Sequence, residues 1–209
     1  MRILIADDHT IVREGIKLLL TEAFPAADIV DVVDSATMLK LVYRDKWDVV
    51  ITDISMPPGD SGLEAVKKIK EHTPGTPVIV FSMHSPDQYA VRAMRAGAAG
   101  YLTKSVAAME LVNAVKHVKS GRRYISDDVA AVLAAAFERK DIDRSIENLS
   151  DRELEVFKLL AVGKTVSEIA NELILSINTI NTFRGRLLEK MNFANNMQLI
   201  RYAVDNRLV

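Results

Sequence analysis

The chain has 209 residues, of which 49% are hydrophobic and 26% charged, and its formal net charge is −1. This composition is that of a globular protein and excludes a disordered chain. The absence of cysteine excludes a disulfide framework and a thiolate metal site.

Short apolar runs alternate with helix-like segments from the start of the chain to about residue 120. The runs are 3–6, 28–33, 48–53, 77–82 and 98–104, and the helix-like segments lie near 10–22, 35–44, 62–72, 86–96 and 106–120. Several runs are rich in Val and Ile without alternating polar residues, which is typical of strands buried on both faces. Five successive β–α units predict an α/β fold with a doubly wound, five-stranded parallel sheet of the flavodoxin-like kind.

A separate helix is predicted near 126–139. Its apolar residues fall at helical spacing and form one stripe of Val129, Val132, Leu133, Ala136 and Phe137. The charged run 138–148 follows and is typical of a linker. We therefore expect a first domain over 1–121, a linker over 122–147 and a second domain over 148–209.

The second domain is predicted to contain only helices. Two capping boxes, at 150–153 and 165–168, are followed by a third helix start after Ser176, and Gly163 is placed to end the first helix. The short spacing favours a helix-turn-helix. Capping and spacing alone are equally consistent with a plain small helical bundle.

Polar side chains stand at the carboxyl ends of the predicted strands, where ligands bind in open α/β sheets. They are Asp7, Asp8, Asp53, Ser82 and Lys104. Two carboxylates about 4 Å apart repel by roughly 4 kcal/mol at an effective dielectric of about 20, so three of them need a counter-charge. An all-oxygen set suits Mg²⁺, which would keep several waters and bind a phosphate. Asp53 would then be a nucleophile towards phosphorus, with Lys104 and Ser82 binding phosphoryl oxygens.

Each of these residues alone has a simpler explanation. A single Asp at the end of a strand is more often a turn former or a helix cap, Ser82 alone would be a cap, and Lys104 alone would be a solvated charge. Their joint occurrence at successive strand ends is what favours a phosphoryl-transfer site.

The segment 1–120 resembles the receiver domain of two-component response regulators. The matching motifs are "ADDH" with Asp7 and Asp8, "TDISMP" with Asp53, "FSMH" with Ser82, and "GYLTKS" with Tyr101 and Lys104. The tail from "LSDRELEVF" to "RGRLLEKM" resembles the LuxR-type helix-turn-helix. Together they make nearly the whole chain similar to the NarL/FixJ family of transcription factors.

The resemblance implies a role for each matching residue of the receiver. Asp53 would accept a phosphoryl group from a sensor histidine kinase, and Lys104 would contact the phosphate. Ser82 and Tyr101 would be the switch pair that reports phosphorylation. Between Asp53 and Gly62 the chain is one residue longer than is usual in the family, so we expect an unusual loop there.

The resemblance also implies a metal site. Asp8 and Asp53 would bind Mg²⁺, or Mn²⁺ in its place, directly. Asp7 would bind it through water, and Ser55 through its backbone carbonyl.

The helix after Ser176 would be the recognition helix of the family. Its apolar residues Ile180, Leu187 and Met191 would face the core. The residues expected to contact DNA are Asn178, Asn181, Thr182, Arg184, Gly185, Arg186 and Lys190, together with Lys164 and Thr165 of the preceding helix. The last helix carries a stripe of Met197, Ile200, Val204 and Leu208, which could close the small core or, as in the family, pair two domains.

These patterns predict a phosphorylation-dependent regulator of transcription that is not an enzyme. We expect double-stranded DNA, a second copy of the phosphorylated chain and RNA polymerase as further partners. No apolar run approaches a membrane span, and Asp7 and Asp8 come too early for a secretion signal, so we expect a cytoplasmic protein without a membrane partner.

Two other functions stay open. A phosphatase or phosphotransferase enzyme that uses an aspartyl phosphate is disfavoured. Haloacid-dehalogenase-like sites usually have a second Asp two residues after the nucleophile, where this chain has Ser55. A protein-interaction adaptor or a phosphorylation-independent regulator is allowed by the near-neutral tail. Residues 148–209 hold 8 basic and 7 acidic residues, a net charge of +1.

Overall fold

The structure is a computed structural model that describes residues 1–56, 61–106, 108–138, 146, 149–206 and 208. The chain separates into two compact units, Met1–Glu138 and Arg139–Val209. The loop 57–60, where an unusual shape was expected, lies outside the described residues. Residues 139–145, 147 and 148, which make up most of the predicted charged run 138–148, also lie outside them.

The N-terminal unit is built on a parallel sheet in the order β2-β1-β3-β4-β5. Its strands are β1 (Arg2–Ala6), β2 (Asp28–Val32), β3 (Val49–Thr52), β4 (Val78–Ser82) and β5 (Gly100–Thr103). Every residue of β3 and β4 is buried, which explains why these runs are apolar without alternation. The predicted doubly wound, flavodoxin-like fold is confirmed.

Helices cover both faces of this sheet. They are α1 (Thr10–Ala23), α2 (Ser35–Arg44), α3 (Gly62–His72), α4 (Pro86–Arg95) and α5 (Ala108–Lys119). On one face, Leu20 of α1 and Val115 of α5 pack with Ile5 and Ile51 in a single apolar core. On the other face, α2 and α3 contact each other, and they contact β1 and β4 respectively.

The strand register brings the polar strand ends together. Ala6 of β1 is paired with Thr52 of β3, and the backbone N–H of Asp53 donates to the carbonyl of Ala6 at 2.9 Å. The residues that follow β1 and β3 are therefore direct neighbours at one edge of the sheet.

The helix predicted near 126–139 is α6 (Asp127–Glu138), and it packs against α4. Just before it, the N–H of Tyr124 donates to the carbonyl of Ala99 at 2.8 Å and extends the sheet beside β5. Val129 of α6 is 1% exposed. The first part of the segment expected to be a linker is thus packed on the N-terminal unit.

The C-terminal unit contains α7 (Asp151–Ala161), α8 (Val166–Glu172), α9 (Ile177–Lys190) and α10 (Asn196–Asp205). Both predicted capping boxes are present, with Ser150 and Thr165 as N-caps, and Gly163 follows α7 with a φ of 88°. Contacts of α9 with α7 and α8 complete the helix-turn-helix. The core-facing residues predicted on α9 are buried, since Ile180 and Leu187 are fully buried and Met191 is 6% exposed.

The stripe predicted on the last helix does not close the core. Leu199 and Ala203 are the fully buried residues of α10, while Met197 is 75% exposed and Val204 is 59% exposed. Of the two roles considered for this stripe, that of closing the core was wrong.

Within the described part of the chain, no helix is both long enough and apolar enough to cross a membrane.

Candidate functional site

Four side chains at the ends of β1 and β3 form an acidic cluster, made of Asp7, Asp8, His9 and Asp53. One potential ligand atom from each residue lies within 4.8 Å of the others. Asp7 is 1% exposed and Asp53 is 4% exposed, whereas the His9 side chain is 63% exposed. The three carboxylates lie together as their positions at the strand ends predicted, and His9 is an additional member that was not predicted.

Lys104 lies between two of these carboxylates. Its Nζ is 2.6 Å from Oδ2 of Asp7 and 2.7 Å from Oδ2 of Asp53. Burial alone would lower the pKa of Lys104, but the charges of Asp53 and Asp7 and the hydrogen bonds to them raise it. One ammonium therefore stabilises two buried carboxylates.

Asp53 responds to two opposing effects. Burial raises its pKa, and the charge of Asp7 adds to this, while the charge and hydrogen bond of Lys104 oppose it. Its Oδ1 accepts a hydrogen bond of 2.6 Å from the N–H of Ile54. With Oδ1 held by the backbone, Oδ2 is the oxygen that faces Lys104.

Gly62, the first residue of α3, fixes the backbone beside Asp53. Its N–H donates to the carbonyl of Ile54 at 2.7 Å. A Cβ at this position would lie 1.8 Å from the carbonyl oxygen of Asp53. Only glycine can approach Asp53 so closely, which ties the start of α3 to the site.

Cation binding would satisfy an otherwise unmatched oxygen. Among the described residues, Oδ1 of Asp8 is buried and accepts no hydrogen bond of good geometry, although Nδ1 of His9 lies 2.7 Å away. The N–H of His9 donates to Oδ1 of Asp7 at 2.8 Å. The carboxylate oxygens of the cluster form a set of hard ligands that can hold a cation.

The two expected switch residues are buried next to this cluster. The hydroxyl of Tyr101 donates to the backbone carbonyl of His84 at 2.7 Å, and Oγ of Ser82 accepts from the N–H of the same residue at 3.3 Å. Burial raises the pKa of Tyr101, and the charges of Asp53 and Asp87 add to it. The backbone of His84 thus joins Ser82 to Tyr101.

The ring of His84 reaches the other side of the site. Its Nε2 is 3.2 Å from Oγ of Ser55, and it lies against the ring of Tyr89 with centroids 4.6 Å apart. The sequence places Ser55 and His84 far apart in the chain, so only the fold reveals this contact. The predicted role of the Ser55 carbonyl as a metal ligand stays a prediction.

A second candidate surface lies on α9. Among the residues expected to contact DNA, the exposed ones are Thr165, Asn178, Asn181, Thr182, Gly185, Arg186 and Lys190, while Lys164 and Arg184 are partly buried. Thr165 also serves as the N-cap of α8, and Lys164 pairs with Glu172.

Besides Lys164, two other cations expected to bind DNA already have protein partners. Nζ of Lys190 lies 2.6 Å from Oε2 of Glu153, whose side chain is 3% exposed. Nε of Arg184 donates to Oδ1 of Asn196 at 2.7 Å. Both contacts hold α9 to neighbouring helices, so these cations have a structural role that the sequence did not reveal.

Comparison with known proteins identifies the domain family of each unit. Residues 3–116 match the model of the response regulator receiver domain, and residues 147–203 match that of the bacterial regulatory proteins of the luxR family. Response regulator UvrY of Escherichia coli (strain K12) is 34% identical over 209 residues, which cover 100% of this chain and 95% of that protein. Response regulator GacA of Pseudomonas aeruginosa is 36% identical over 211 residues, with coverage of 100% and 98%.

A solved structure is similar to this chain over nearly its whole length. RcsB from Salmonella enterica serovar Typhimurium, bound to promoter P1flhDC in the presence of the phosphomimetic BeF₃⁻, aligns with a TM-score of 0.60. The two chains are 29% identical, and the alignment covers 97% of each. UvrY, GacA and RcsB are response regulators rather than enzymes. The present chain belongs to the NarL/FixJ family of two-component response regulators, which regulate transcription by joining a receiver domain to a LuxR-type DNA-binding domain.

Proposed function

We propose that a sensor histidine kinase transfers a phosphoryl group to Asp53, and that this modification controls dimerisation and DNA binding by the same chain. The observation that carries the proposal is the position of Asp53, buried beside Asp7 with its Oδ2 2.7 Å from the ammonium of Lys104. This is an arrangement in which a buried carboxylate oxygen faces a cation that can bind phosphoryl oxygens.

The transfer is a displacement at phosphorus. Oδ2 of Asp53 forms the new bond to phosphorus, the phosphorus–nitrogen bond of the kinase phosphohistidine breaks, and the imidazole leaves and takes up a proton. Lys104 then stabilises the negative charge of the phosphoryl oxygens, and the hydroxyl of Ser82 donates to one of them.

The residues that would hold Mg²⁺, or Mn²⁺, are Asp8 and Asp53 directly, Asp7 through water, and Ser55 through its backbone carbonyl. The bound ion would neutralise the charge that the carboxylates and the phosphoryl group share. The unmatched Oδ1 of Asp8 and the carboxylate-rich donor set support this assignment.

In the C-terminal domain, α9 would enter the major groove of double-stranded DNA, with Asn178, Asn181, Thr182 and Gly185 towards the bases and Arg186 towards a phosphate. Arg184, Lys190, Lys164 and Thr165 would contribute contacts to the backbone. The promoter complex of the related RcsB supports DNA as the partner.

The exposed stripe of α10 would pair two DNA-binding domains. Met197 and Val204 are well exposed, and Ile200 between them is half-buried. Two-fold pairing would place two α9 helices about one DNA turn, roughly 34 Å, apart. We place this activity in the cytoplasm, where RNA polymerase is a further candidate partner.

Titration of the full chain against a promoter library, with and without acetyl phosphate and Mg²⁺, tests this proposal. We expect specific binding that acetyl phosphate strengthens, together with a shift from monomer to dimer. DNA affinity that does not change when acetyl phosphate is added would identify a phosphorylation-independent regulator. Absence of any DNA binding would favour a protein-interaction adaptor.

A further inference from the structure

The part of α9 that would meet the bases carries no charge. Its exposed residues between positions 177 and 185 form a reading face, made of Ile177, Asn178, Asn181, Thr182 and Gly185. These positions recur at helical spacing and therefore lie on one side of the helix. In a helix-turn-helix the N-terminal residues of the recognition helix contact base edges, so this face is the one that meets the bases.

The two amides of the reading face are available for a base. In the described parts of the chain, the side chains of Asn178 and Asn181 have no hydrogen-bond partner. An Asn amide matches the N6 and N7 atoms of adenine with two hydrogen bonds. Guanine is most often read by Arg or Lys, and the reading face has neither.

The other two side chains offer apolar groups. Ile177, the first residue of α9, is 50% exposed. Oγ1 of Thr182 donates its proton to the backbone carbonyl of Asn178 at 2.9 Å, and the methyl group of the side chain remains available for contact. The apolar group that the major groove presents is the 5-methyl group of thymine.

We infer that α9 reads an A·T-rich half-site, in which Asn178 and Asn181 bind adenines and Ile177 and Thr182 contact thymine methyl groups. The inference rests on the proposed function, because it requires α9 to lie in the major groove. It adds the class of DNA sequence and names Ile177 as a specificity-determining residue. A single exposed isoleucine is ordinary on a protein surface, but this one lies on the same face as both available amides.

The test replaces thymine by uracil, which removes the methyl group and keeps the base pairing. A site is first selected from a random library with the full chain, and each thymine is then replaced in turn. We expect A·T pairs at the contacted positions. At two of the thymines, uracil should weaken binding about fourfold, which corresponds to one lost methyl contact.

Matched variants assign each methyl contact. Ile177→Ala should abolish the uracil effect at one thymine, whereas Ile174→Ala, at an isoleucine that is 64% exposed but precedes α9, should keep it. Thr182→Ser, which removes the methyl, should abolish the effect at the other thymine. Thr182→Val keeps a methyl group at this position, so the loss of affinity caused by uracil should remain.

The inference is overturned if the selected site is G·C-rich at the positions that α9 contacts. It is also overturned if replacing thymine by uracil lowers the DNA affinity of the Ile177→Ala variant as much as that of the wild type at every thymine. Either result leaves the proposed function intact, because the chain still binds DNA. Failure of the full chain to bind any duplex would overturn the proposed function as well.

Discussion

Nζ of Lys104 lies 2.7 Å from Oδ2 of Asp53, and both side chains are only 4% exposed. Because the two groups are buried together, each depends on the other for its charge. A phosphoryl group on Asp53 would carry its new negative charge into the region that Lys104 occupies. Lys104 is therefore placed to bind the phosphoryl oxygens and, through its own change of position, to transmit the phosphorylation of Asp53 to the rest of the domain.

We predict that Lys104→Ala is still phosphorylated by acetyl phosphate and Mg²⁺ but shows no rise in dimerisation or DNA affinity. The ammonium of Lys104 responds to the phosphoryl charge, which exists only after the phosphoryl group has been transferred. Loss of the ammonium should therefore affect the rise in dimerisation and DNA affinity more than the phosphorylation itself. Intact mass and DNA titration on the same sample measure both. Lys119→Ala, an exposed lysine at the end of α5, is the control, and a normal rise in affinity in Lys104→Ala would refute the coupling role.

A second prediction concerns Gly62. In Gly62→Ala the new Cβ meets the carbonyl oxygen of Asp53 at 1.8 Å, so the backbone must move. We expect the N-terminal domain to lose about 1–3 kcal/mol of stability and phosphorylation to slow. Urea unfolding and phosphodonor labelling check this.

Gly15 provides the matched control, because a Cβ there meets nothing within 4 Å and the residue is exposed in the middle of α1. Gly15→Ala should stabilise the domain by about 0.5–1 kcal/mol and leave labelling unchanged. If Gly62→Ala and Gly15→Ala were equally stable, the close contact between Gly62 and the carbonyl oxygen of Asp53 would not constrain this position.

A third prediction concerns acid stability of the C-terminal domain. Burial raises the pKa of Glu153, but hydrogen bonds from Lys190 and from the N–H of Ser150 outweigh it, so the pKa is lowered. A carboxyl group whose pKa is lowered on folding stabilises the fold above its unfolded pKa of about 4.3. That stability is lost as the pH falls through the lower folded value.

Unfolding of the wild type and of Glu153→Gln between about pH 3 and pH 7 measures this contribution. The wild type should lose more stability on acidification than Glu153→Gln, with a difference of about 1–2 kcal/mol at neutral pH. Glu189→Gln, an exposed residue of α9, should behave like the wild type. Parallel pH profiles for the wild type and Glu153→Gln would show that the ion pair with Lys190 does not stabilise the domain.

A fourth prediction separates base contacts from phosphate contacts. Asn181→Ala should cost roughly 1–3 kcal/mol at one base pair and leave non-specific binding nearly unchanged. Arg186→Ala should weaken binding to all sequences alike and lower the salt slope by about 1 per protomer. Titrations against a site library at several salt concentrations compare the two, and the opposite pattern would mean that their roles are reversed.

The sequence predicted the fold well where burial determined the pattern. The runs 48–53 and 77–82 contain β3 and β4 because strands buried on both faces are continuously apolar. The capping box at Ser150 could also be predicted, because its two hydrogen bonds join residues only three positions apart in the sequence.

Contacts between distant residues could not be predicted in the same way. The bonds of Lys190 to Glu153 and of Arg184 to Asn196 depend on how helices pack, so both cations were predicted only as DNA contacts. Ile174, two residues after the end of α8, has a φ of 52°, a conformation that a β-branched residue rarely adopts, and no sequence rule indicates it. His9 was missed because a lone histidine after two carboxylates is a weak signal.

Phosphorylation of Asp53 is the central claim, and intact mass spectrometry combined with DNA titration tests it most directly. Acetyl phosphate with Mg²⁺ should add a single acid-stable, base-labile phosphoryl group to the wild type and raise its DNA affinity. It should add none to Asp53→Asn and leave its affinity unchanged. Asp48→Asn, at the exposed opposite end of the same strand, should behave like the wild type. Undiminished labelling of Asp53→Asn, or a phosphodonor-dependent rise in its DNA affinity, would contradict the account.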